Sequence, residues 1–277
     1  MKYVELPSGE RVPALGQGTW HMGERASGRE REVDAVRAGI AAGLNLIDTA
    51  EMYGNGGAER IVGEAIRDLR DQVFLVSKVF PHNASRTGVR AACEASLERL
   101  GTDRLDLYLL HWRGGSNLQE VVAGFEELRR EGLIRHWGVS NFDETDLTDL
   151  WEVPGGKHCS TNQILYHLGQ RAIESDPLPW MRKRGIPMMA YCPLGQGQLL
   201  QEPALREFSA RNGITQAQTA LAWLLSRQDV IAIPKTSLTE RQAENRAAGE
   251  MTLERDQLAE LDTLFPPPTG RTRLPIV

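Results

Sequence analysis

Eight times along this chain a short apolar run is followed by a stretch of helical spacing, and that alternation restricts the fold more than any other feature. The runs are LGQGTW from Leu15, LNLIDTA from Leu44, VFLVSKV from Val73, LDLYLLHW from Leu105, IRHWGVSNF from Ile134, STNQILY from Ser160, PMMAYCPL from Pro187 and VIAIPKT from Val230. Most are apolar on both faces, as parallel strands covered by helices are. The intervals between them begin near Arg29, Ala58, Arg86, Asn117, Asp143, Glu174, Glu202 and Thr239. Several carry the 3.6-residue period, as in Val121, Phe125 and Leu128, or Leu221, Leu224 and Leu225. Strand and helix alternating at a mean of roughly 30 residues predict a (β/α)8 barrel, typically ~250 residues long. The chain has 277, and no linker or composition break divides it, so residues 1–277 are expected to form one domain. YVELPSGERVP, from Tyr3, reads as an N-terminal β-hairpin outside the repeat, and the tail from Pro266 as short and irregular. A doubly wound sheet is the rival fold, but nothing like G-x-G-x-x-G follows the first run.

Composition narrows the partners. A net charge of −5 with no basic block argues against a nucleic-acid partner. No apolar run approaches the ~18 residues needed to span a bilayer, and MKYVELPSGERVP lacks a signal peptide's apolar core. The expectation is a cytoplasmic protein with no membrane association, monomeric. Cys93, Cys159 and Cys192 lie far apart without a C-x-x-C, which suits reduced thiols. The histidines show no ligand spacing, so no metal site is expected.

In a barrel of this type the reacting groups stand at the C-terminal strand ends. The second run ends in Asp48 with Tyr53 five residues on, the third in Lys78 and the fourth in His111. An Asp, a Lys and a His closing apolar runs are costly to desolvate unless they pair, so a shared polar network follows; the same residues could also bridge strands or bind water. A Tyr phenol, with a reference pKa of about 10, gives up a proton reluctantly at neutral pH. An adjacent ammonium, Lys78, would stabilise the phenolate and lower that value, while Asp48 keeps Lys78 charged and neutral His111 orients a carbonyl. Such a set protonates a developing alkoxide. Trp20, Phe80 and Trp112, at or just past strand ends, are candidate walls of a substrate pocket. Glu51 is a rival acid beside Tyr53, with solvent exposure the plainer reading.

After the last run, Ser237-Leu-Thr-Glu240 reads as a capping box opening a short helix, with Lys235 and Arg241 flanking it. Two cations at the positive end of a helix repel it unless an anion sits there, although Glu240 could neutralise part of the charge.

Across nearly its whole length the sequence resembles the aldo-keto reductases. The resemblance rests on GTW at Gly18, LIDTAEMYGN around Asp48 and Tyr53, VSKV around Lys78 and LDLYLLHW before His111, together with GVSNF at Gly138, NQ at Asn162, AYCPLG at Ala190 and IPKTSLTERQAEN at Ile233. It implies Tyr53 as general acid, Asp48 and Lys78 tuning it, and His111 positioning the substrate carbonyl. It further implies Ser140, Asn141 and Gln163 on a nicotinamide carboxamide, Tyr191 stacked on the ring, Lys235, Thr236 and Arg241 on the 2′-phosphate of NADPH, and Glu244 and Asn245 at the adenine end. Within the family the chain resembles short bacterial members that reduce methylglyoxal and related small carbonyls. Cys192 stands where many relatives have Ser, and Leu165 and Leu168 where many have Glu and Pro. NADPH-dependent reduction of an aldehyde or ketone is the function this implies. The alternatives are a Schiff-base aldolase using Lys78 as nucleophile and a non-catalytic NADPH-sensing subunit.

Overall fold

A computed structural model describes residues 2–276. All eight apolar runs form parallel strands: β3 (Gln17–Gly18), β4 (Leu46–Asp48), β5 (Phe74–Val79), β6 (Leu105–Leu110), β7 (Ile134–Ser140), β8 (Asn162–Leu165), β9 (Met188–Tyr191) and β10 (Val230–Ala232). Each pairs with the next in chain order. The sheet then curls until its two edges meet, with bridges from Leu15 to Ala232 and from Gly18 to Lys235. Gly16 N–H donates to Ala232 O at 2.9 Å and Gly18 N–H to Pro234 O at 3.0 Å. A Cβ on Gly18 would come within 2.8 Å of Ile233 O, so only glycine lets the first and last strands approach this closely.

The helices are α1 (Arg29–Ala41), α2 (Gly57–Ile66), α3 (Arg86–Leu100), α4 (Leu118–Arg130), α5 (Glu144–Glu152), α6 (Leu178–Arg182), α7 (Pro203–Arg211), α8 (Gln216–Leu225), α9 (Thr239–Ala248) and α10 (Arg255–Leu264). Side-chain caps fix several starts: Ser85 accepts from Gly88 N–H, Asn117 from Gln119 N–H, and Asp143/Asp146 and Thr215/Gln218 form reciprocal capping boxes. Val121, Phe125 and Leu128 turn inward from α4 and are buried. Full burial of a side chain of this size is worth about 1.5–3 kcal/mol. Three intervals differ from a simple alternation. The one after β8 yields only the five-residue α6, the one after β9 holds two helices, and α10 lies outside the pattern read from sequence.

The hairpin of β1 (Tyr3–Glu5) and β2 (Arg11–Pro13) is antiparallel and buries Val4 and Val12. Glu10, in its turn, binds Arg135 at 2.8 Å and His136 at 2.6 Å near the start of β7. It therefore covers the N-terminal end of the barrel and leaves the opposite rim free. Cys93 and Cys159 are buried free thiols pushed up to about 12 by burial, and Cys192 is a half-buried free thiol. No helix among the described residues is long and apolar enough to cross a membrane.

Candidate active site

The C-terminal rim opens into a cleft of about 830 Å³ lined by residues from the loops after β3, β4, β6, β7, β9 and β10. Asp48 is the last residue of β4, and Lys78 stands on the neighbouring strand, one position before the end of β5. Lys78 Nζ donates to Asp48 Oδ2 at 2.7 Å, to Thr49 O at 2.8 Å and to Tyr53 Oη at 3.2 Å. With Lys78 0% and Asp48 2% exposed, three oxygens replace the water an ammonium would otherwise hold. His111 follows β6, is 8% exposed, and meets the Tyr53 ring edge-on with centroids 5.6 Å apart. Asp48, Lys78 and Tyr53 are joined by hydrogen bonds, and His111 adjoins them only through its ring contact with Tyr53.

Their electrostatics are set mainly by desolvation. Burial lowers the Lys78 ammonium and raises the Asp48 carboxyl, each opposed by the charge of the other. Burial, together with the negative Asp48, drives the Tyr53 phenol well above its ordinary value. The direction is thus opposite to the expected lowering by Lys78, with burial the largest cause and the negative Asp48 the next. Burial and the positive Lys78 push His111 down to about 2, so the imidazole is neutral at physiological pH. Its Nδ1 is buried without a hydrogen-bond partner.

The residues expected around a nicotinamide are also in contact with one another. Ser140 Oγ donates to Gln163 O at 2.8 Å, Asn141 Nδ2 donates to His111 O and to Ser140 Oγ, each at 3.2 Å, and Tyr191 Oη donates to Asn141 Oδ1 at 2.9 Å. Gln163 Nε2 donates to Asp48 Oδ1 at 2.7 Å, which ties this group to the tetrad. Asn141 and Cys192 hold left-handed backbone with φ of 58° and 47°, an uncommon conformation that gathers at functional turns.

At the far side of the cleft, Lys235 and Arg241 are exposed and make no ion pair among the described residues. The helix beside them is α9, but the expected capping box is absent. Its N-cap is Leu238, with no side-chain cap, because Ser237 lies one residue too early, and the Thr236 hydroxyl instead accepts from Leu238 N–H at 3.1 Å. First-turn amides are thus left without a capping side chain beside two unpaired cations, an arrangement that suits an anion. Thr236, Glu244 and Asn245 do not line the cleft. Thr236 and Asn245 are buried, and Glu244 turns toward α8, accepting from Thr215 Oγ1 at 2.5 Å.

Trp20 and Trp112 line the cleft, but Phe80 does not. It packs behind, edge-on to Trp112 at 4.9 Å and stacked on His82 at 4.7 Å. Sequence reasoning missed Met52, Leu194, Leu200 and Ile276, all on the wall. They belong to irregular loops and to the tail, where no periodicity marks which side faces inward. Among the described residues no group of three His, Cys, Asp or Glu side chains could hold a metal ion.

A parallel barrel presenting a phenol, an ammonium, a carboxylate and a neutral imidazole at its C-terminal rim has the groups of an enzyme that hands a proton to a bound substrate. The chain belongs to the aldo/keto reductase family, whose family model matches residues 14–265. It is 51% identical to methylglyoxal reductase YeaE of Escherichia coli (strain K12), over 100% of this chain and 99% of that one. It is 33% identical to the glyoxal reductase of Bacillus subtilis (strain 168), covering 94% and 92% of the two chains. An aldo-keto reductase from Klebsiella pneumoniae, solved in complex with NADPH, superposes with a TM-score of 0.97 at 51% identity, covering 100% of this chain and 99% of that one.

Proposed function

We propose that this protein reduces small aldehydes and ketones, methylglyoxal among them, to alcohols with NADPH. The observation that carries the reading is the contact of Lys78 Nζ with both Asp48 and Tyr53 Oη in a cleft whose other end holds Lys235 and Arg241. NADPH supplies a hydride when bound. Lys235, Arg241 and the open start of α9 would hold its 2′-phosphate, and Ser140, Asn141, Gln163 and Tyr191 its nicotinamide. The similarity to methylglyoxal reductase YeaE and to a reductase solved with NADPH supports both choices.

The roles of the chain's own groups follow from their electrostatics. Tyr53 retains its proton until negative charge develops on the carbonyl oxygen, which is then basic enough to take it. Lys78, 3.2 Å from the phenol, stabilises the phenolate so formed rather than the resting state. Neutral His111 donates a hydrogen bond that orients the carbonyl without competing as an acid. Asp48 holds Lys78 charged, which removes the free amine a Schiff-base aldolase needs. The protein acts as a monomer in the cytoplasm, without nucleic acid. Initial rates of NADPH oxidation across a panel of small aldehydes and 2-oxoaldehydes test the reading. No consumption of NADPH with any of them would sink it.

A further inference from the structure

Glu51 lies between Asp48 and Tyr53, and the sequence leaves it as a rival acid or an exposed side chain. It is neither. Its Oε1 accepts from Phe80 N–H at 2.6 Å and from Asn83 Nδ2 at 3.1 Å, and its backbone N–H reaches Lys78 O at 3.4 Å. One half-buried residue thus ties the loop that carries Tyr53 to the loop that follows Lys78. The tie continues inward: Phe80 supports Trp112 edge-on at 4.9 Å, and Trp112 lies against His111 with centroids 5.2 Å apart. Glu51 does not line the cleft, whereas Tyr53, His111 and Trp112 do. A carboxylate accepting a backbone N–H is a strong, directional contact, stronger than a neutral acceptor would make.

We propose that Glu51 is a positioning residue for the reduction: through Phe80 it holds the Trp112 wall at the distance from Tyr53 at which a small carbonyl is gripped. The chain of contacts runs from the β4 loop through the β5 loop to the β6 loop, three neighbouring segments of the rim. Phe80, expected on sequence grounds to wall the pocket directly, is the link that carries the tie. Displacement of a positioning group by about 1 Å can cost up to ~10²-fold in rate, so loosening this tie is felt although it touches no substrate.

The inference rests on the reductase reading, and the test separates the two. Wild type, Glu51→Ala, Glu51→Gln and Phe80→Leu are assayed with saturating NADPH and a small aldehyde over a range of pH. Glu51→Ala should raise KM about tenfold with kcat within about threefold of wild type and an unshifted pH profile, a loss inside the bound just given. Glu51→Gln, whose amide oxygen still accepts from Phe80 N–H, should recover most of that rise. Phe80→Leu should raise KM similarly, and combined with Glu51→Ala should add little, because both cut one chain of contacts. Should Glu51→Ala fail to fold, Phe80→Leu and Glu51→Gln decide alone. An unchanged KM in Phe80→Leu overturns the positioning role, as does a Glu51→Gln variant that loses kcat and shifts the pH profile, which would make Glu51 an acid. Absence of turnover in the wild type would instead overturn the reductase reading itself.

Discussion

The two ends of the cleft are built on opposite plans. At the tetrad end every charge is out of water and answered from within the protein: Lys78 meets three oxygens, and Asp48 accepts from both Lys78 and Gln163. At the other end Lys235 and Arg241 are exposed and unpaired among the described residues, beside a helix that lacks a side-chain cap. At the first end the charges are already paired, with His111 Nδ1 left without a partner, and the second end invites an anion. Chemistry benefits from groups fixed before the reaction starts, whereas binding benefits from groups whose partners arrive with the ligand. Substitutions at the first end should therefore lower turnover with cofactor affinity preserved, and those at the second should do the reverse.

The largest effect expected is at Tyr53. Tyr53→Phe keeps the ring and removes the proton donor, so kcat and kcat/KM should fall by 10²–10⁴-fold or more, about 3–5 kcal/mol of barrier, with NADPH affinity unchanged. Lys78→Met should approach that loss, because the phenolate would form in a buried site without its cation. The double variant should lose little more than either single one, since both disable one proton-transfer unit. Single-turnover oxidation of bound NADPH by a reactive aldehyde measures all three. Turnover by Tyr53→Phe within about threefold of wild type would place the proton donor elsewhere.

The same contrast explains what the sequence revealed. Asp48, Lys78 and His111 were legible because a charged or polar residue at the end of an apolar strand has few reasons to be there, and strand ends in a barrel share a rim. The upward direction of the Tyr53 shift was not legible, because it depends on how much water is excluded around the phenol and how close Asp48 lies, both properties of packing. Lys235 and Arg241 were visible as unneutralised charge. The missing cap of α9 was not, since Ser237 satisfies the spacing of a capping box but lies one residue outside the helix boundary. Met52, Leu200 and Ile276 had no signal at all, being ordinary apolar residues whose role comes only from where their loops and the tail lie.

The binding end gives the next largest effect. Arg241→Ala should weaken NADPH by about 1.5–3 kcal/mol, the worth of a charge-assisted contact, and leave NADH nearly untouched, because only NADPH carries the 2′-phosphate. Turnover at saturating NADPH should remain near that of wild type. Fluorescence titrations with both cofactors decide it: equal losses would erase the proposed division between the two ends.

Acid tests the desolvated end separately. His111, held down to about 2, refuses in the folded chain a proton that the unfolded chain accepts below about 6.5. Between those values the unfolded state binds more protons, so stability is present above pH 6.5 and falls as the pH drops through the window. At pH 5 the loss from this one group is on the order of 2 kcal/mol. His167, lowered to about 4 by burial, works in the same direction, so the measure is a difference between variants. Urea midpoints at pH 7 and pH 5 should move less in His111→Gln than in wild type. Equal movement would mean that the imidazole is not excluded from water as the structure has it.

The smallest expected effect sharpens the contrast most, because it converts the open end toward the closed plan. Leu238 is the N-cap of α9 in extended backbone (φ −118°, ψ 124°), a conformation an Asn cap adopts readily. In Leu238→Asn the side-chain oxygen can accept from an amide of the first turn without introducing charge beside Lys235 and Arg241. A good cap is worth about 1 kcal/mol, and in a chain of this size that corresponds to a rise in melting temperature of about 2–4 °C without cofactor. The gain should be offset in binding, since the amide so occupied is no longer free for the 2′-phosphate, and NADPH should weaken a few-fold, by up to about 1 kcal/mol, while NADH does not. Melting curves with and without each cofactor read both effects from one sample. A variant that melts higher yet binds NADPH as tightly as wild type would show that the helix start takes no part in holding the phosphate, leaving Lys235 and Arg241 to act alone.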